Sequence, residues 1–404
     1  MNELIPSYEI GSLPKPNARV KAIGGELDRI TQPDIDELFW FGKYSGVDPT
    51  EAIDIIQRNR RDRTKLTDAE KDRIISANTA MNIKAIAKVL VYKGNGEGPR
   101  KEMYRNLVEQ VDGFEDLPEM LRSRGPDSWR AAVCVDEPRL KTLKTLDTLP
   151  VIKEFEFMRH VLGGEVAYVK IPLDDPFMVA NMSDNRLYIE QMRSMYRDNP
   201  VKAEYEAKRA LTLALAYEVI RPQAEALAKA GVKWIQLDIP SSTIDINHIP
   251  ILVEGINATV EGIEGVKFSL HFCYPKRVSL IDKNGYDLLF PHVLNLSPNV
   301  NHFSLELANG SQYKIDLAPF AKYQSERAFE IGVGVTDITS ERQEKGLIET
   351  PQIVRERLLK SIDVLGDSTL VYAAHDCGLR QLSLGRAVRL NEILAEGAEL
   401  ARRG

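Results

Sequence analysis

Three short segments of this 404-residue chain end in side chains able to hold a metal ion. Lys267-Phe268-Ser269-Leu270 runs into His271-Phe272-Cys273, and Phe303-Ser304-Leu305 runs into Glu306. Leu370-Val371-Tyr372-Ala373-Ala374 runs into His375-Asp376-Cys377-Gly378. Two thiolates, one imidazole and one carboxylate make a four-coordinate set that suits Zn²⁺. An exchangeable carboxylate leaves one position for a substrate, and a thiol is the natural occupant. The thiolate is the nucleophile, and coordination to Zn²⁺ deprotonates a thiol at neutral pH. His375 precedes Cys377 as His271 precedes Cys273, so either imidazole suits the ligand role, the other being structural and bonded to the backbone. Structural zinc sites usually pair their cysteines as Cys-x2-Cys, a spacing absent here.

Side chains at strand ends need a scaffold that gathers those ends. From about Gly163 onward, short apolar runs alternate with helical stretches. The strand candidates are Ala167 to Ile171, Trp234 to Asp238, Lys267 to Cys273, His302 to Leu307, Ile331 to Val335 and Thr369 to Ala374. Several read as apolar throughout, as buried parallel strands do. The helices between them have clear ends: Asn199-Pro200 and Thr350-Pro351 are starts, and Gly231 and Gly366 are stops. Val354, Leu358, Ile362 and Leu365 form one apolar face. Such repetition predicts a parallel sheet with helical crossovers.

Tyr8 to Gly11, Lys88 to Tyr92 and Ala131 to Val135 bring the candidates to nine, one more than a (β/α)8 barrel needs. The segment around Cys134 is therefore expected to be peripheral. Between about residues 15 and 87 the chain reads as helical and charge-rich, with Thr67-Asp68-Ala69-Glu70 as a capping box. The expected architecture is one α/β domain over 1–404: a TIM-type (β/α)8 barrel with a helical insertion at about 15–87 covering one end. Barrel enzymes carry their chemistry at the C-terminal ends of the strands, where these residues fall. A doubly wound sheet is the alternative, but no Gly-x-Gly-x-x-Gly fingerprint follows an early strand.

The three metal-competent segments resemble the zinc motifs of the cobalamin-independent methionine synthase family: His271-Phe272-Cys273-Tyr274, Glu306 and Asp376-Cys377-Gly378-Leu379. Other similarities follow in order. Ile10-Gly11-Ser12 resembles the family's Ile-Gly-Ser. Val89-Leu90-Val91 with Gly96-Glu97-Gly98-Pro99-Arg100 resembles its Val-Leu-Val-His-Gly-Glu, and Ile235-Gln236-Leu237-Asp238-Ile239-Pro240 its Ile-Gln-Asp-Glu-Pro. The resemblance covers the family's catalytic C-terminal half. It implies a zinc-dependent methylation of homocysteine, with His271, Cys273, Glu306 and Cys377 as the ligands. Glu97 and Asp238 would be the catalytic pair, holding the substrate ammonium. Ile10 and Ser12 would also bind substrate, Ser12 near the carboxylate. Two plainer roles compete: a solvated Glu97 in a Gly-rich turn, and a helix-capping Asp238.

Departures from the family fall on the methyl-donor side. Thr339 stands where the family's Asp-x-His-Ser segment has its histidine. Lys170-Ile171-Pro172-Leu173-Asp174-Asp175-Pro176-Phe177 lacks the tryptophan placed near a pterin, and Pro275-Lys276-Arg277 lies in an insertion. The expected donor is therefore a methylated corrinoid protein in place of a folate. A coenzyme M alkyltransferase, acting on a methyl or epoxide electrophile, is the runner-up, kept open by Lys276-Arg277. A metal-free lyase similar to uroporphyrinogen decarboxylase leaves the two cysteines unexplained.

Bulk composition agrees with a globular enzyme. Hydrophobic residues make up 43% and charged residues 28%, enough for a buried core. The net charge of -6 argues against nucleic acid or an anionic membrane as partner. With no long apolar run, no leader-like N-terminus and three cysteines, the expected location is the cytoplasm.

Overall fold

The structure, a computed structural model, describes residues 4–100, 103–116, 132–141, 149–240, 246–273, 285–308, 313–338 and 349–403. Two strands, β1 (Val111–Glu115) and β2 (Val133–Leu140), pair antiparallel as a separate hairpin. Cys134 lies buried in β2, so its segment is peripheral, as the count of strand candidates required. The main sheet has six parallel strands: β3 (Lys170–Asp174), β4 (Trp234–Pro240), β5 (Lys267–Cys273), β6 (Val300–Leu305), β7 (Glu330–Thr336) and β8 (Val371–His375). They lie side by side in chain order. Ser7 bridges Ala373 of β8, Tyr8 bridges Tyr92, and Lys93 bridges Val169 just before β3, all in parallel.

Strands expected to be apolar on both faces are apolar on one. In β5, Phe268, Leu270 and Phe272 enter the large apolar core, while Lys267, Ser269, His271 and Cys273 alternate with them. Phe303 and Leu305 of β6 and Ile331, Val333 and Val335 of β7 continue the apolar face. A period of two puts alternate side chains on opposite faces, so the second face is free to be polar. Its N-terminal end is filled by aromatic rings: Tyr8 lies 5.1 Å from Trp234 and 5.5 Å from His302, centre to centre. Trp234 donates to Ser269 Oγ at 2.8 Å, and the Tyr8 hydroxyl pairs with Ser304 Oγ at 2.5 Å. Buried polar atoms there find partners among themselves.

Helix ends follow local chemistry. Asn199 accepts from the Lys202 amide at 3.0 Å, and Gly231 ends that helical run with φ of 103°. Thr350 accepts from Ile353, and Gly366 closes that helix at φ 72°. The run from Pro200 to Ala230 is interrupted by a widened π turn at Ala216–Ile220. Pro222 lies two residues past its end; a ring without an N–H cannot continue the regular ladder, and a wide turn makes room for it.

The helical region comprises α1 (Asn17–Ile23), α2 (Gln32–Ser45), α3 (Thr50–Asp62) and α4 (Asp68–Ala87). The Thr67 capping box forms, with Glu70 reaching back to the Thr67 amide at 2.8 Å. These helices enclose their own apolar cluster around Phe41, Ile56 and Met81, joined by Leu384 and Val388 from the C-terminal helix Leu384–Arg402. Among the described residues no helix is long and apolar enough to cross a membrane.

Candidate active site

Cys377 Sγ lies 3.5 Å from His271 Nε2. Two ligands of one tetrahedral zinc, at about 2.3 Å for sulfur and about 2.0 Å for nitrogen, stand about 3.5 Å apart. The pair therefore fits a shared ion. Strand register explains the meeting. Asp174, Asp238, His271, Ser304 and Gly332 form one transverse row across β3 to β7. Cys273 and Glu306 each lie two residues beyond a member of that row. Glu306 is nearly buried, and the Tyr286 hydroxyl spans its backbone, donating to its carbonyl and accepting from its amide at 3.1 Å. The Cys273 side chain lies outside the described residues, as do Lys276, Arg277 and Thr339. Among the described side chains no three potential ligands are gathered, so His271 and Cys377 are the contact on which the metal reading stands.

The loops carrying Glu306 and Cys377 are tied to each other. Asp376 Oδ1 accepts from the amides of Leu307 at 2.9 Å and Ala308 at 2.8 Å. Burial pushes the Asp376 carboxyl up to about 8, with those two amides pulling it down. The Cys377 loop is tied in turn to the N-terminal segment, since the Leu379 amide donates to the Ser12 carbonyl at 2.7 Å. A Cβ on Gly378 would stand 2.5 Å from Ser12 Oγ, so only glycine allows this approach.

The two histidines separate cleanly. His375 is buried, with Nδ1 2.5 Å from Thr336 Oγ1 and Nε2 2.8 Å from Asn391 Oδ1. Burial lowers its pKa to about 4. Both of its ring nitrogens are engaged by side chains, not by a backbone carbonyl.

Beside His271 lies a second cluster. Asp238 is inside β4, where it caps no helix. Gln236 Nε2 donates to Asp238 Oδ1 at 2.6 Å and to the Ile10 carbonyl at 2.7 Å. Lys170 Nζ, fully buried, donates to the same Ile10 carbonyl at 2.6 Å and to Gln236 Oε1 at 2.7 Å. The lysine thus fixes which end of the Gln236 amide faces Asp238. Burial raises the Asp238 carboxyl, opposed by His271 and Lys170.

Glu97 is half-buried and not freely solvated. Its backbone takes φ of 50°, the left-handed region that a branched or long side chain enters only when held. The holding groups are Asn95, whose Oδ1 accepts from the Glu97 amide at 2.9 Å, and Arg100, whose amide donates to the Glu97 carbonyl. Glu97 Oε1 stands 2.8 Å from where a Cβ on Gly11 would be, so the carboxylate lies against the Gly11 backbone. Burial pushes Glu97 up to about 7; Arg100 and Lys15 pull it down, and Asp238 pushes it further up. Glu9, buried, is raised by burial to about 7, with Lys170 acting against the shift.

Ile10, Ser12, Glu97, Asp238, His271 and Cys377 thus come together from five separate segments, with Glu306 tethered alongside. Sequence reasoning missed Lys170, Glu9 and any role for Gln236. Lys170 interrupts the apolar run Tyr168-Val169-Lys170-Ile171, and a charge inside the expected segment Ala167–Ile171 was the available signal.

The profile of the family described as "Cobalamin-independent synthase, Catalytic domain" matches residues 192–395, a span holding Asp238, His271, Cys273, Glu306 and Cys377. A methionine synthase of Sulfurisphaera tokodaii is 27% identical over 404 residues, covering 100% of this chain and 94% of that protein. A methionine synthase of Pyrococcus furiosus is 28% identical over 288 residues, covering 71% of this chain and 70% of the other. The fold is similar, at a TM-score of 0.65 and 18% identity, to a solved B12-independent methionine synthase from Shewanella sp. W3-18-1 in complex with selenomethionine. That alignment covers 99% of this chain and 98% of the other.

Proposed function

Because the chain belongs to the cobalamin-independent synthase catalytic-domain family, we propose that it is a zinc-dependent methyltransferase that methylates homocysteine on sulfur to give methionine. The observation that carries the reading is the His271–Cys377 contact at 3.5 Å, flanked in register by Asp238. In this reading the chain acts as one barrel domain over 1–404. The parallel bridges of Ser7 and Lys93 support closure of the six-stranded sheet into the eight-fold barrel, and α1 to α4 form the helical insertion at about 15–87.

His271, Cys273, Glu306 and Cys377 are the residues that would hold the zinc. The ion, when bound, supplies Lewis-acid activation that keeps the substrate sulfur as its thiolate at neutral pH. Asp238 and Glu97 receive the substrate ammonium, and Ile10 and Ser12 border its backbone end. Fixing the amino-acid end leaves the sulfur little freedom except the line toward the donor, which lowers the entropy cost of in-line transfer. Gln236 and Lys170 hold Asp238 in place. Two thiolate ligands stay reduced in the cytoplasm, where this reading places the activity.

A sulfonate thiol such as coenzyme M is the second reading. Glu9, Glu97 and Asp238 bring three carboxyl groups together beside His271, opposed by Lys170 at Glu9 and Asp238 and by Arg100 and Lys15 at Glu97. Such a pocket favours an ammonium. The donor proposed is a methylated corrinoid, on the absence of a tryptophan from Lys170–Phe177 and the presence of Thr339 in place of a proton-donating histidine. The test is methionine formation by zinc-loaded enzyme, with homocysteine, coenzyme M and cysteine as acceptors. Methylcobalamin and methyltetrahydrofolate are compared as donors at matched concentration. Homocysteine turnover exceeding the other thiols supports the acceptor; coenzyme M turnover equal to it overturns that assignment. Efficient folate turnover overturns the donor assignment alone.

A further inference from the structure

Three cations crowd the loops that carry Ser12, Glu97 and Cys377, and none has a carboxylate partner among the described residues. Arg19 of α1 is buried, with 6% of its surface exposed. Its side chain makes one hydrogen bond, from Nη2 to the Gly98 carbonyl at 2.6 Å, and its Nε is buried with no partner. Lys15, half-buried, donates to the Arg100 carbonyl. Arg380, exposed, lies one residue beyond Leu379, whose amide is bonded to Ser12. Among the described residues no acidic group stands within ion-pair distance of any of the three. Arg100, by contrast, is fully paired with Glu154.

The three also repel one another. Burial lowers Lys15 to about 7, and Arg19 and Arg380 lower it further; Glu97 acts on it in the opposite direction. Arg19 is brought down to about 10 by burial, then by Arg380. Burying a guanidinium without a counter-charge is among the costliest arrangements in a folded protein. Arranging a second and third cation beside it makes the cost larger, unless an anion completes the group. Scattered surface basic residues do not explain it, since Arg19 and Lys15 are turned inward to carbonyls of the Gly98–Arg100 loop.

We propose that Lys15, Arg19 and Arg380 form an oxyanion-binding site for a carboxylate- or phosphate-type group, set beside the thiol-binding residues. Its position on the Ser12 and Glu97 loops leaves two sources for that group: the carboxylate of the amino-acid substrate, or an anionic tail of the methyl donor. The choice between sources rests on the proposed thiol transfer; the anion site does not.

The experiment starts with thermal unfolding of the full zinc-loaded chain in phosphate and in chloride at matched ionic strength. A ligand that binds only the folded state raises the melting temperature by mass action. Phosphate should raise it and Arg19→Met should abolish the rise. Arg19→Met should also melt no lower than the wild type in chloride, because it removes an uncompensated buried charge; a merely structural arginine would destabilise on removal. If Arg19→Met fails to fold, Arg380→Ala at the exposed edge should need about tenfold more phosphate for the same rise. No phosphate rise in the wild type, or an undiminished rise in the folded variants, overturns the proposal.

Kinetics of Lys15→Met then separate the sources. If the substrate carboxylate is bound, the KM for homocysteine climbs about tenfold while that for 3-aminopropane-1-thiol, which lacks the carboxylate, stays put. If the donor tail is bound, the donor KM climbs and the homocysteine KM does not. Constancy of all three overturns the placement. An enzyme with the phosphate response but no thiol turnover would refute the functional reading and leave the anion site standing.

Discussion

At the scale of single residues, Cys377 and His375 sit two positions apart yet have different tasks. Cys377→Ser replaces a proposed soft ligand beside His271, so zinc content, read by metal analysis of the purified protein, should fall well below one per chain. His375→Ala removes a ring bonded at both nitrogens to Thr336 and Asn391. Leaving those partners buried and unpaired should cost about 1–3 kcal/mol in denaturant unfolding while zinc content holds. Full zinc in Cys377→Ser, or zinc loss in a folded His375→Ala, would reverse the assignment. The sequence placed both His-x-Cys pairs at strand ends but could not rank the histidines. That ranking depends on Asn391, sixteen residues away on the C-terminal helix, and on register with Thr336.

The pocket acids carry a pH dependence at the same scale. Glu97 must be ionised to receive an ammonium, and burial has raised its pKa to about 7. Below that pH it is protonated, so kcat/KM for homocysteine should rise through about pH 7. Stability of the substrate-free enzyme runs the other way. Between the ordinary carboxylate range and about 7 the folded state holds the proton that the unfolded state has released, so stability falls as pH rises through that window. Asp238→Asn should raise the homocysteine KM about ten- to a hundredfold with zinc intact, the size of one charge-assisted hydrogen bond. A flat pH profile of kcat/KM from 6 to 8 would show that Glu97 does not face the ammonium.

Among elements, the site depends on loops being held at the C-terminal strand ends, and Asp376 does the holding between β6 and β8. Asp376→Ala removes the acceptor for the Leu307 and Ala308 amides, freeing the segment next to Glu306. Zinc affinity, measured by chelator competition, should drop about ten- to a hundredfold, as loss of outer support to a metal site commonly does. Unchanged affinity would mean that Glu306 needs no such tether. The strands bearing chemistry were legible because Lys267 to Cys273 is bounded by clear turns. Others were not. The expected segment Ala167–Ile171 overlaps β3 at only two residues; β3 runs on through Pro172, which has no N–H for a ladder and turns its carbonyl to Arg100. Tyr8 to Gly11 and Lys88 to Tyr92 looked like full strands but make single bridges, because long-range pairing, not local pattern, sets how far a ladder extends.

Across the whole molecule, the helical region and the sheet share α4. Its Met81 and Ala85 enter the helical cluster, while Ile83 and Ile86 enter the large core against the sheet. Buried on two faces, α4 shows no single apolar stripe, which is why its capping box was legible in the sequence but its dual packing was not. Leu384 and Val388 add a second coupling, carrying the C-terminal helix into the helical cluster. Two bodies that share buried residues cannot unfold independently without exposing them. Calorimetry of the full chain should therefore show one cooperative transition, with the calorimetric and van't Hoff enthalpies equal. Ile86→Ala removes a fully buried side chain from the sheet-side core and should cost about 2–5 kcal/mol. If the coupling holds, that loss lowers the single transition as a unit, and hydrogen exchange in α2 and α3 accelerates together with that in β4 and β5. Two separated transitions, with α2 and α3 protected as before, would instead mean that residues 17–87 fold on their own and merely rest against the sheet.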